Sequence, residues 1–570
     1  MRLSISKSKN STSLYVIKST YKKGVTSSKV VEKLGTVEEL REKLNGQDPI
    51  EWARKYIADM TKKEKENKCP VLVKYSPTKT IPKGERRTFN GGYLFLQKIY
   101  HELGLHKICN EITGKYKFSY DMDSILSRLV YGRVIFPASK RTTHQLAGTF
   151  LEPPNFKSHH IYRSLDVIAK EMDFIQAELY KNSSAHYKRN AGIVYYDCTN
   201  YFFEIEEGDG LRQYGPSKEN RPNPIVEMGL FMDADGIPLA FCIHAGNANE
   251  QKTMKPLEKK ILADFELSRF VVCTDAGLAS NDNRKFNDKP GRAFITTQSI
   301  KKLKAHHKKW ALDPTGWRLS NDSKIYDITK IDEEACKDKV FYKERWINED
   351  DMEQKLIVTY SIKYRNYQRK IRASQIERAQ KLIETNPTKL KKANQNDYKR
   401  FIKKTNCTPD GEVAEKEYYS INADTISAEE AFDGFYGVCT NLDEDVTEIV
   451  RINSRRWEIE ECFRIMKSEF KARPVYLGRD ERIKAHFTTC FISLMVYRFL
   501  EKKLGEKFTC PEIIDGLRGL NFLQVKDEGY VPSYTRTDFS DALHEAYGFR
   551  TDYQIVKNSH MKNIFKITKS

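Results

Sequence analysis

The sequence lacks any segment that is long and apolar enough to span a bilayer. Its longest apolar run, 487–500, is shorter than the roughly 20 residues that a transmembrane helix needs, and it contains Arg498. This run therefore predicts a buried helix, and we expect no membrane partner. The polar N-terminus, MRLSISKSKN, has no apolar stretch typical of a secretory signal, so we expect a cytoplasmic location.

Paired cysteines are also missing. The 11 cysteines occur singly between Cys69 and Cys510, with no C-x-x-C pair and no Cys/His cluster. Structural zinc sites use such clusters, so we do not expect one. An odd cysteine count without a secretion signal is typical of reduced thiols in a cytosol.

Basic residues exceed acidic ones by a wide margin. The 570 residues include 97 Lys and Arg against 78 Asp and Glu, which gives a net charge of +19. This excess favours a polyanionic partner, most simply nucleic acid, although a merely basic soluble protein has the same composition. The chain is too long for one hydrophobic core, so we expect about two to four domains.

The first 190 residues predict a DNA-binding region. Strand-like runs at 13–17 and 30–34 flank Lys22-Lys23-Gly24, which indicates a basic β-hairpin followed by a short helix. The pattern from about 90 to 190 is helical. We expect its basic residues to contact DNA, namely Arg128, Arg133, Lys140 and Arg141.

From residue 191 the pattern changes to strands. Three strand-like runs at 193–203, 225–232 and 237–243 precede a helix at about 250–264 and further strands at 270–274 and 293–297. This order is that of an α/β, RNase H-like core, a mixed five-stranded sheet flanked by helices. A polar insertion at about 300–429 interrupts it. The predicted segments are 1–85 (basic hairpin), 86–190 (helical, DNA-binding), 191–299 (core), 300–429 (insertion), 430–505 (core) and 506–570 (C-terminal).

The segment 453–467 predicts a helix with one acid between two cations. Arg456 lies four residues before Glu460 and Lys467 seven residues after it, which places all three on one helical face. An arbitrary helix with this pattern is usually a solvated charged stripe with i,i+4 pairs. Glu461 lies about 100° round the helix and should miss a site on that face.

Two aspartates upstream favour a functional interpretation. Asp197 and Asp275 each lie where a strand-like run ends, although such aspartates are often only turn or cap residues, as we expect for Asp209, Asp233 and Asp235. Three carboxylates that converge would repel one another, and divalent cations relieve that repulsion. Two Mg²⁺ ions, for which Mn²⁺ can substitute, would act on the two sides of a phosphodiester.

Three groups of residues resemble the motifs of bacterial insertion-sequence DDE transposases: Asp197-Cys198-Thr199, Cys273-Thr274-Asp275-Ala276-Gly277 and Arg456-x3-Glu460-x6-Lys467. The last is similar to the Y-x2-R-x3-E-x6-K pattern of the IS-four superfamily and, within it, the IS-sixteen-thirty-four group. Supporting stretches at 214–222, 235–239, 246–250, 432–435 and 473–487 extend the resemblance over about 90–505.

The resemblance implies roles for particular residues. Asp197, Asp275 and Glu460 would be catalytic and hold the metal ions. Arg456, Lys467, Lys218 and Arg221 would contact DNA phosphates. The tyrosine of the pattern falls on Asn453, which can still donate to a phosphate but cannot stack on a base.

The resemblance also implies a function. The protein would be a DNA transposase that binds terminal inverted repeats and catalyses metal-dependent strand cleavage and transfer. Its partners would be double-stranded DNA, at transposon ends and target, and a second copy of the chain in a dimer on paired ends, in the bacterial cytoplasm at the nucleoid. The alternatives are a catalytically inactive DNA-binding derivative and a nuclease that only hydrolyses.

Overall fold

The computed structural model describes residues 1–570 except 9–10, 23–24, 45–46, 68–70, 74, 386–396 and 408–412. The predicted turn at Lys23 and Gly24 lies outside the described residues. The chain forms two compact units, which are 1–85 with 525–528 and 86–524 with 529–570. No helix of the described ranges combines the length and apolar character needed to cross a bilayer. The finer domain boundaries stay predictions.

The smaller unit contains the predicted hairpin, in which 12–22 pairs with 25–36, as part of a three-stranded antiparallel sheet. The strand 2–7 pairs with 12–22 and so adds a third strand to the sheet. Thr36 begins the following helix with a capping box, in which its hydroxyl accepts from Glu39 N at 3.2 Å. The elements are β1 (Arg2–Lys7), β2 (Thr12–Lys22), β3 (Val25–Thr36), α1 (Val37–Lys43) and α2 (Pro49–Asn67).

A helical layer opens the larger unit and encloses one central helix. The helix 480–503 contains the apolar run 487–500, and residues 485–500 of it are buried on every side, as the sequence predicts. The elements of this layer are β4 (Thr88–Asn90), α3 (Tyr93–Glu102), α4 (Leu105–Lys115), α5 (Met122–Ile135), α6 (Lys140–Ala147), α7 (Ser158–Lys170) and α8 (Met172–His186).

Arg128 and Arg133 of this layer are not placed to contact DNA, although the sequence predicted that contact. Arg128 and Arg133 are buried on α5, a helix whose residues from Met122 to Ile135 are mostly enclosed. Their guanidinium groups donate to backbone carbonyls, including that of Glu152 at 2.9 Å and that of Phe470 at 3.0 Å. These two side chains therefore stabilise the fold.

An eight-stranded mixed sheet forms the centre of the larger unit. Its order is β10-β11-β14-β9-β8-β5-β6-β7, with β5, β8 and β9 parallel and the other pairs antiparallel. The elements are β5 (Ile193–Phe202), β6 (Ile225–Asp233), β7 (Pro238–Ala245), α9 (Met254–Asp264), β8 (Phe270–Thr274), α10 (Asn281–Asn287), β9 (Arg292–Gln298), α11 (Ala305–Leu312), β10 (Phe341–Glu349), β11 (Met352–Tyr360), α12 (Ile362–Thr385), β12 (Ile402–Cys407), β13 (Val413–Ile421), α13 (Ala423–Glu430) and β14 (Phe435–Thr440).

The sheet is wider than the predicted five strands. The hairpin of β10 and β11 comes from the predicted insertion, and β11 pairs with β14 over residues 355–360 and 435–440. Part of the insertion therefore extends the sheet, because the apolar residues of β11 bury against the strand that follows the insertion.

The C-terminal part adds helices and a small sheet of order β17-β16-β15-β4. The elements are α14 (Val446–Ser454), α15 (Trp457–Arg464), α16 (Asp480–Lys503), α17 (Cys510–Gly519), β15 (Asn521–Val525), β16 (Gly529–Pro532), α18 (Asp538–Tyr547), β17 (Val556–Lys557) and α19 (Asn558–Ile567).

The predicted single helix at 453–467 is wrong. The helix is interrupted at Arg455 and Arg456, between α14 and α15, and a π-helical turn, Ile465–Glu469, follows α15. This break turns Trp457 outward to 61% exposure, although its aromatic ring favours a core position in the sequence.

Candidate active site

Asp197 and Asp275 lie at the same level of two neighbouring parallel strands. Tyr195 of β5 pairs with Cys273 of β8, and one further two-residue step along each strand leads to Asp197 and Asp275. Because side chains alternate along a strand, this register directs both carboxylates to the same face of the sheet. The aspartates therefore converge where β8 ends.

Asp197 is half-buried and lies among charges of both signs. Its pKa is raised to about 6, mainly by burial and to a smaller extent by nearby Asp275, while Lys218 and Arg456 oppose the rise. The Cys198 backbone N–H donates to Oδ1 at 2.7 Å. Lys218 and Arg456, which come from two different segments, thus favour the ionised form of Asp197.

Asp275 also holds the turn that follows β8. Its Oδ1 accepts the Leu278 backbone N–H at 3.0 Å, and its carbonyl accepts the Thr296 hydroxyl at 3.3 Å. A side chain at Gly277 would place its Cβ 3.3 Å from both carboxylate oxygens. Asp275 therefore stabilises the turn, as an aspartate at a strand end often does, and also lies beside Asp197 in the candidate site.

Glu460 lies in the first turn of α15 and is exposed. In the described part of the chain its carboxylate makes no hydrogen bond or ion pair, whereas its neighbour Glu461 accepts two hydrogen bonds of 2.6 Å from Arg464. Glu461 is therefore committed to a surface pair, and Glu460 is the available acid of this helix.

The three carboxylates do not form a closed cluster. Across the described residues, the ligand atoms of Asp197, Asp275 and Glu460 do not all lie within 4.8 Å of one another. Asp197 and Asp275 nevertheless fit a divalent cation, because their shared register offers two oxygen donors on one face. Glu460, exposed and without a partner, is the third donor that could close such a site.

Arg456 and Lys467 reach Asp197 from different elements. Arg456 caps the start of α15 and donates to the Thr297 hydroxyl at 3.0 Å, while its Nε is buried without a hydrogen-bond partner. Lys467 lies on the π-helical turn, 3.4 Å from Glu219. The charge of Arg456 lowers the pKa of Asp197, and the charge of Asp197 raises the pKa of Lys467. Both cations therefore lie near Asp197, although they do not share one regular helix.

The Lys467 ammonium is weakened by its surroundings. Burial and the neighbouring Lys218 lower its pKa to about 8, with Asp197 opposing them. The ammonium also lies 5.4 Å from the centroid of the Tyr201 ring. Lys467 is therefore a partly buried cation near Asp197.

The loop after β5 brings Lys218 to the site. Its ammonium bonds to the Cys198 carbonyl and lies 3.1 Å from Glu250. Burial opposes its charge, but Asp197 and Glu250 outweigh burial and raise its pKa. Arg221 is exposed and stacks over the Phe202 ring, 4.3 Å from its centroid.

Asn453 is placed differently from the expected DNA contact. It is buried, donates to the Tyr436 hydroxyl at 3.1 Å and lies 3.8 Å from the Cys273 sulfur. Its amide therefore links α14 to β14 and β8 in the interior, and its contact with DNA stays a prediction.

The sequence reasoning missed an acidic group beside Lys218. Glu227 of β6 is 1% exposed, and neither carboxylate oxygen has a hydrogen-bond partner within the described chain. Burial and then Glu250 raise its pKa to about 7, with Lys218 opposing. A lone acid inside the otherwise apolar run IVEMGLFMD was the signal that could have found it.

A second acidic group occurs in the C-terminal part. The ligand atoms of Asp541, His544 and Asp552 lie within 4.8 Å of one another. Arg550 binds both carboxylates, and His544 Nε2 accepts the Thr551 N–H, so the neutral ring carries its proton on Nδ1. This group is therefore an ion-pair cluster rather than a metal site.

The family model of the transposase DDE domain matches residues 212–496, half of the chain. The chain belongs to the transposase DDE-domain family. Asp275 and Glu460 lie within the matched range, and Asp197 lies before it. Members of this family are enzymes that break and join DNA phosphodiester bonds, generally with divalent metal ions, so this transposase is an enzyme of DNA transposition.

A solved structure with similarity to the transposase is that of the piggyBac transposase synaptic complex with hairpin DNA. The two chains share 8% identity with a TM-score of 0.36, over 83% of this chain and 85% of the other. No curated protein matches the sequence of the transposase.

Proposed function

We propose that this transposase binds the terminal inverted repeats of an insertion sequence and cleaves and transfers DNA strands at a metal centre held by Asp197, Asp275 and Glu460. The observation that carries the proposal is the shared register of Asp197 and Asp275 on adjacent parallel strands. The spacing Arg456-x3-Glu460-x6-Lys467 supports assignment to the IS-four superfamily and its IS-sixteen-thirty-four group.

An RNase H-like core is part of the proposal. The five strands β7-β6-β5-β8-β9 have two antiparallel pairings followed by two parallel ones. This arrangement supports the strand order predicted from the sequence, with the other three strands as an extension on the β9 side.

Two divalent cations, Mg²⁺ or Mn²⁺, would supply an activated oxygen nucleophile and neutralise the leaving oxygen. The protein groups provide position and charge. Asp197 must lose its proton to bind a cation, and Lys218 and Arg456 favour its ionised form. Glu460 has no competing partner among the described residues, so its carboxylate is available to complete the donor set.

The cations around the carboxylates would hold the DNA backbone. Lys467 remains charged at neutral pH, since its pKa is about 8, and it shares Glu219 with Arg473. Arg456 retains a buried Nε that lacks a partner in the described chain. We infer that Lys467, Arg456, Lys218 and Arg221 contact phosphates, which position a strand without reading its sequence.

The proposal extends to assembly and location. Inverted repeats at both ends of an element present two identical DNA sites, so a homodimer would bind the paired ends. The enzyme would act on double-stranded transposon and target DNA in the bacterial cytoplasm.

The test uses the DNA that flanks the gene. Fragments from both sides should contain matching inverted repeats, and the purified protein should cut them in Mg²⁺ but not in a chelator. Asp275→Ala should abolish cleavage and still shift the fragment in a gel. Cleavage without joining to target DNA would favour a nuclease, and binding without cleavage would favour an inactive derivative.

A further inference from the structure

A cavity of about 200 Å³ lies between the α5–α6 connection and the segment that follows the π-helical turn. Pro137, Tyr162 and Val475 form apolar parts of its wall. Its polar lining is basic and contains no aspartate or glutamate, and consists of Arg133, Lys140, Lys471, Arg473 and His486. We call this space the Lys140 cavity.

Lys140 is the buried charge that the protein leaves uncompensated there. The residue is 6% exposed, and its ammonium makes no hydrogen bond or ion pair with any described residue. Burial and then Arg133 lower its pKa to about 7. A buried ammonium without a partner is costly, so its retention points to a ligand that supplies the missing negative charge.

The two other buried basic groups of the lining, Arg133 and His486, are already engaged. Arg133 donates to the carbonyls of Phe470, Lys471 and Ala138. His486 shares its Nε2 with the Ala472 carbonyl at 2.9 Å, and burial, Lys140 and Arg133 keep its pKa well below the usual value, so the ring is neutral. Lys140 is therefore the buried lysine of this lining that is available to a ligand, whereas Lys471 is exposed at its edge.

The backbone adds a second attraction for an anion. Lys140 is the first residue of α6, and Ser139 caps this helix by accepting from Thr142 N at 3.2 Å. The N-terminus of a helix carries a partial positive charge and favours phosphate.

Two ion pairs link the cavity lining to the candidate active site. Arg473 lines the cavity and pairs with Glu219, which also pairs with Lys467 beside Asp197. Tyr476, also in the lining, is 74% exposed and offers a ring on which a base could stack. A DNA strand that passes Lys467 would thus meet the cavity next.

We propose that the Lys140 cavity binds one backbone phosphate of the DNA strand held in the active site, with the adjacent base on Tyr476. This inference rests on the proposed function, because it assumes that DNA occupies the neighbouring carboxylate site. It adds a phosphate subsite that the three-carboxylate motif does not include.

The first test measures acetylation of Lys140 by an amine-reactive ester in the full-length protein, with mass spectrometry as readout. Inorganic phosphate and a duplex oligonucleotide should each slow the reaction at Lys140, by about tenfold at ten times their Kd, compared with chloride at equal ionic strength. The exposed Lys562 of α19 is the internal control. Protection by phosphate but not by DNA would overturn the DNA assignment, and protection by neither would overturn the site.

The second test compares Lys140→Met, Lys140→Arg and Lys562→Met in DNA binding. Lys140→Met should flatten the log–log salt dependence by about 0.9, which is one phosphate contact, while the other two variants keep the parent slope. An unchanged slope for Lys140→Met would overturn the proposal even if Lys140 proves unreactive to the ester.

The cleavage-deficient Asp275→Ala protein separates the two proposals. If the carboxylates are not catalytic, Asp275→Ala cleaves normally while Lys140 is still protected. If cleavage depends on Asp275 but Lys140 shows neither protection nor a slope change, the phosphate subsite alone is wrong.

Discussion

The carboxylate site and the Lys140 cavity both enclose charged side chains, but they treat those charges differently. Around Asp197 the protein places Lys218, Arg456 and Lys467, so that its charge lies near opposite charges. In the Lys140 cavity the charged group with the largest effect on Lys140 is Arg133, of the same sign. A bound cation would therefore favour the carboxylate site, and a bound anion would favour the Lys140 cavity.

This difference teaches how a nucleotidyl-transfer site can divide its tasks. Converging acids attract metal ions, and the cations among them keep the acids ionised before metal arrives. A cavity that contains only cations repels metal and attracts phosphate. Under the two proposals, charge would therefore direct the two kinds of ligand to neighbouring but separate places.

The largest expected effect is the loss of an acid from the carboxylate site. Glu460→Ala should slow cleavage of end DNA by about 10³-fold or more, because a metal ligand supports several kcal/mol of charge stabilisation. The matched control is Glu461→Ala, whose side chain pairs with Arg464. Rates in Mg²⁺ that fall equally in both variants would show that Glu460 has no special role.

The buried ion pair of Asp233 and Arg189 shows what a compensated charge contributes to stability, for comparison with the unpaired Lys140. Asp233 is fully buried against Arg189 and also accepts from Ile237 N at 2.9 Å. Asp233→Ala leaves the Arg189 charge alone and should lower the free energy of unfolding by about 3–5 kcal/mol. Urea denaturation measures this loss, and a change below that of an exposed aspartate variant would contradict it.

Removal of a cation from the carboxylate site should have a smaller effect. Lys467→Met should slow cleavage by about 10–100-fold and flatten the salt dependence of DNA binding by about one unit, as expected for one lost phosphate contact. Arg464→Ala, on the exposed side of the same segment, is the control. A parent-like rate and slope for Lys467→Met would mean that Lys467 serves only its pair with Glu219.

Lys140→Met should stabilise the protein in the absence of DNA. Because the folded-state pKa of about 7 is below the usual 10.5, the unfolded chain binds the proton more tightly, and wild-type stability rises with pH between these values. The gain from the substitution should be about 1–3 kcal/mol at pH 6 and should vanish near pH 10.5. Urea denaturation at both pH values checks the sign, and a gain that increases with pH would refute it.

Glu227→Gln should show the opposite pH dependence. The folded-state pKa of about 7 is above the usual 4.5, so wild-type stability is full below pH 4.5 and is lost as pH rises through 7. The variant should therefore gain stability relative to wild type at pH 8 and not at pH 4.5. Equal differences at the two pH values would show that folding does not shift the pKa of the Glu227 carboxyl group.

Local patterns predicted the main elements of the candidate site. The apolar runs that contain Asp197 and precede Asp275 identified β5 and β8, because strands in the interior of a sheet are mostly apolar. The break before α15 was not predictable, since 453–467 contains neither glycine nor proline. The strands β10 and β11 were also missed, because β14, the strand that joins β11 to the rest of the sheet, comes much later in the chain.

By itself the sequence determined the DDE transposase family and the basic charge of the chain, and it predicted three acids for the site, because these depend on residue type and spacing. Only the tertiary structure decided which charges are compensated. It brought Lys218 and Arg456 to Asp197, buried Asn453 against Tyr436, and enclosed Lys140 with no acid in the cavity lining. The cost of a charge depends on burial and on neighbours that are distant in the chain, and neither is encoded in local periodicity.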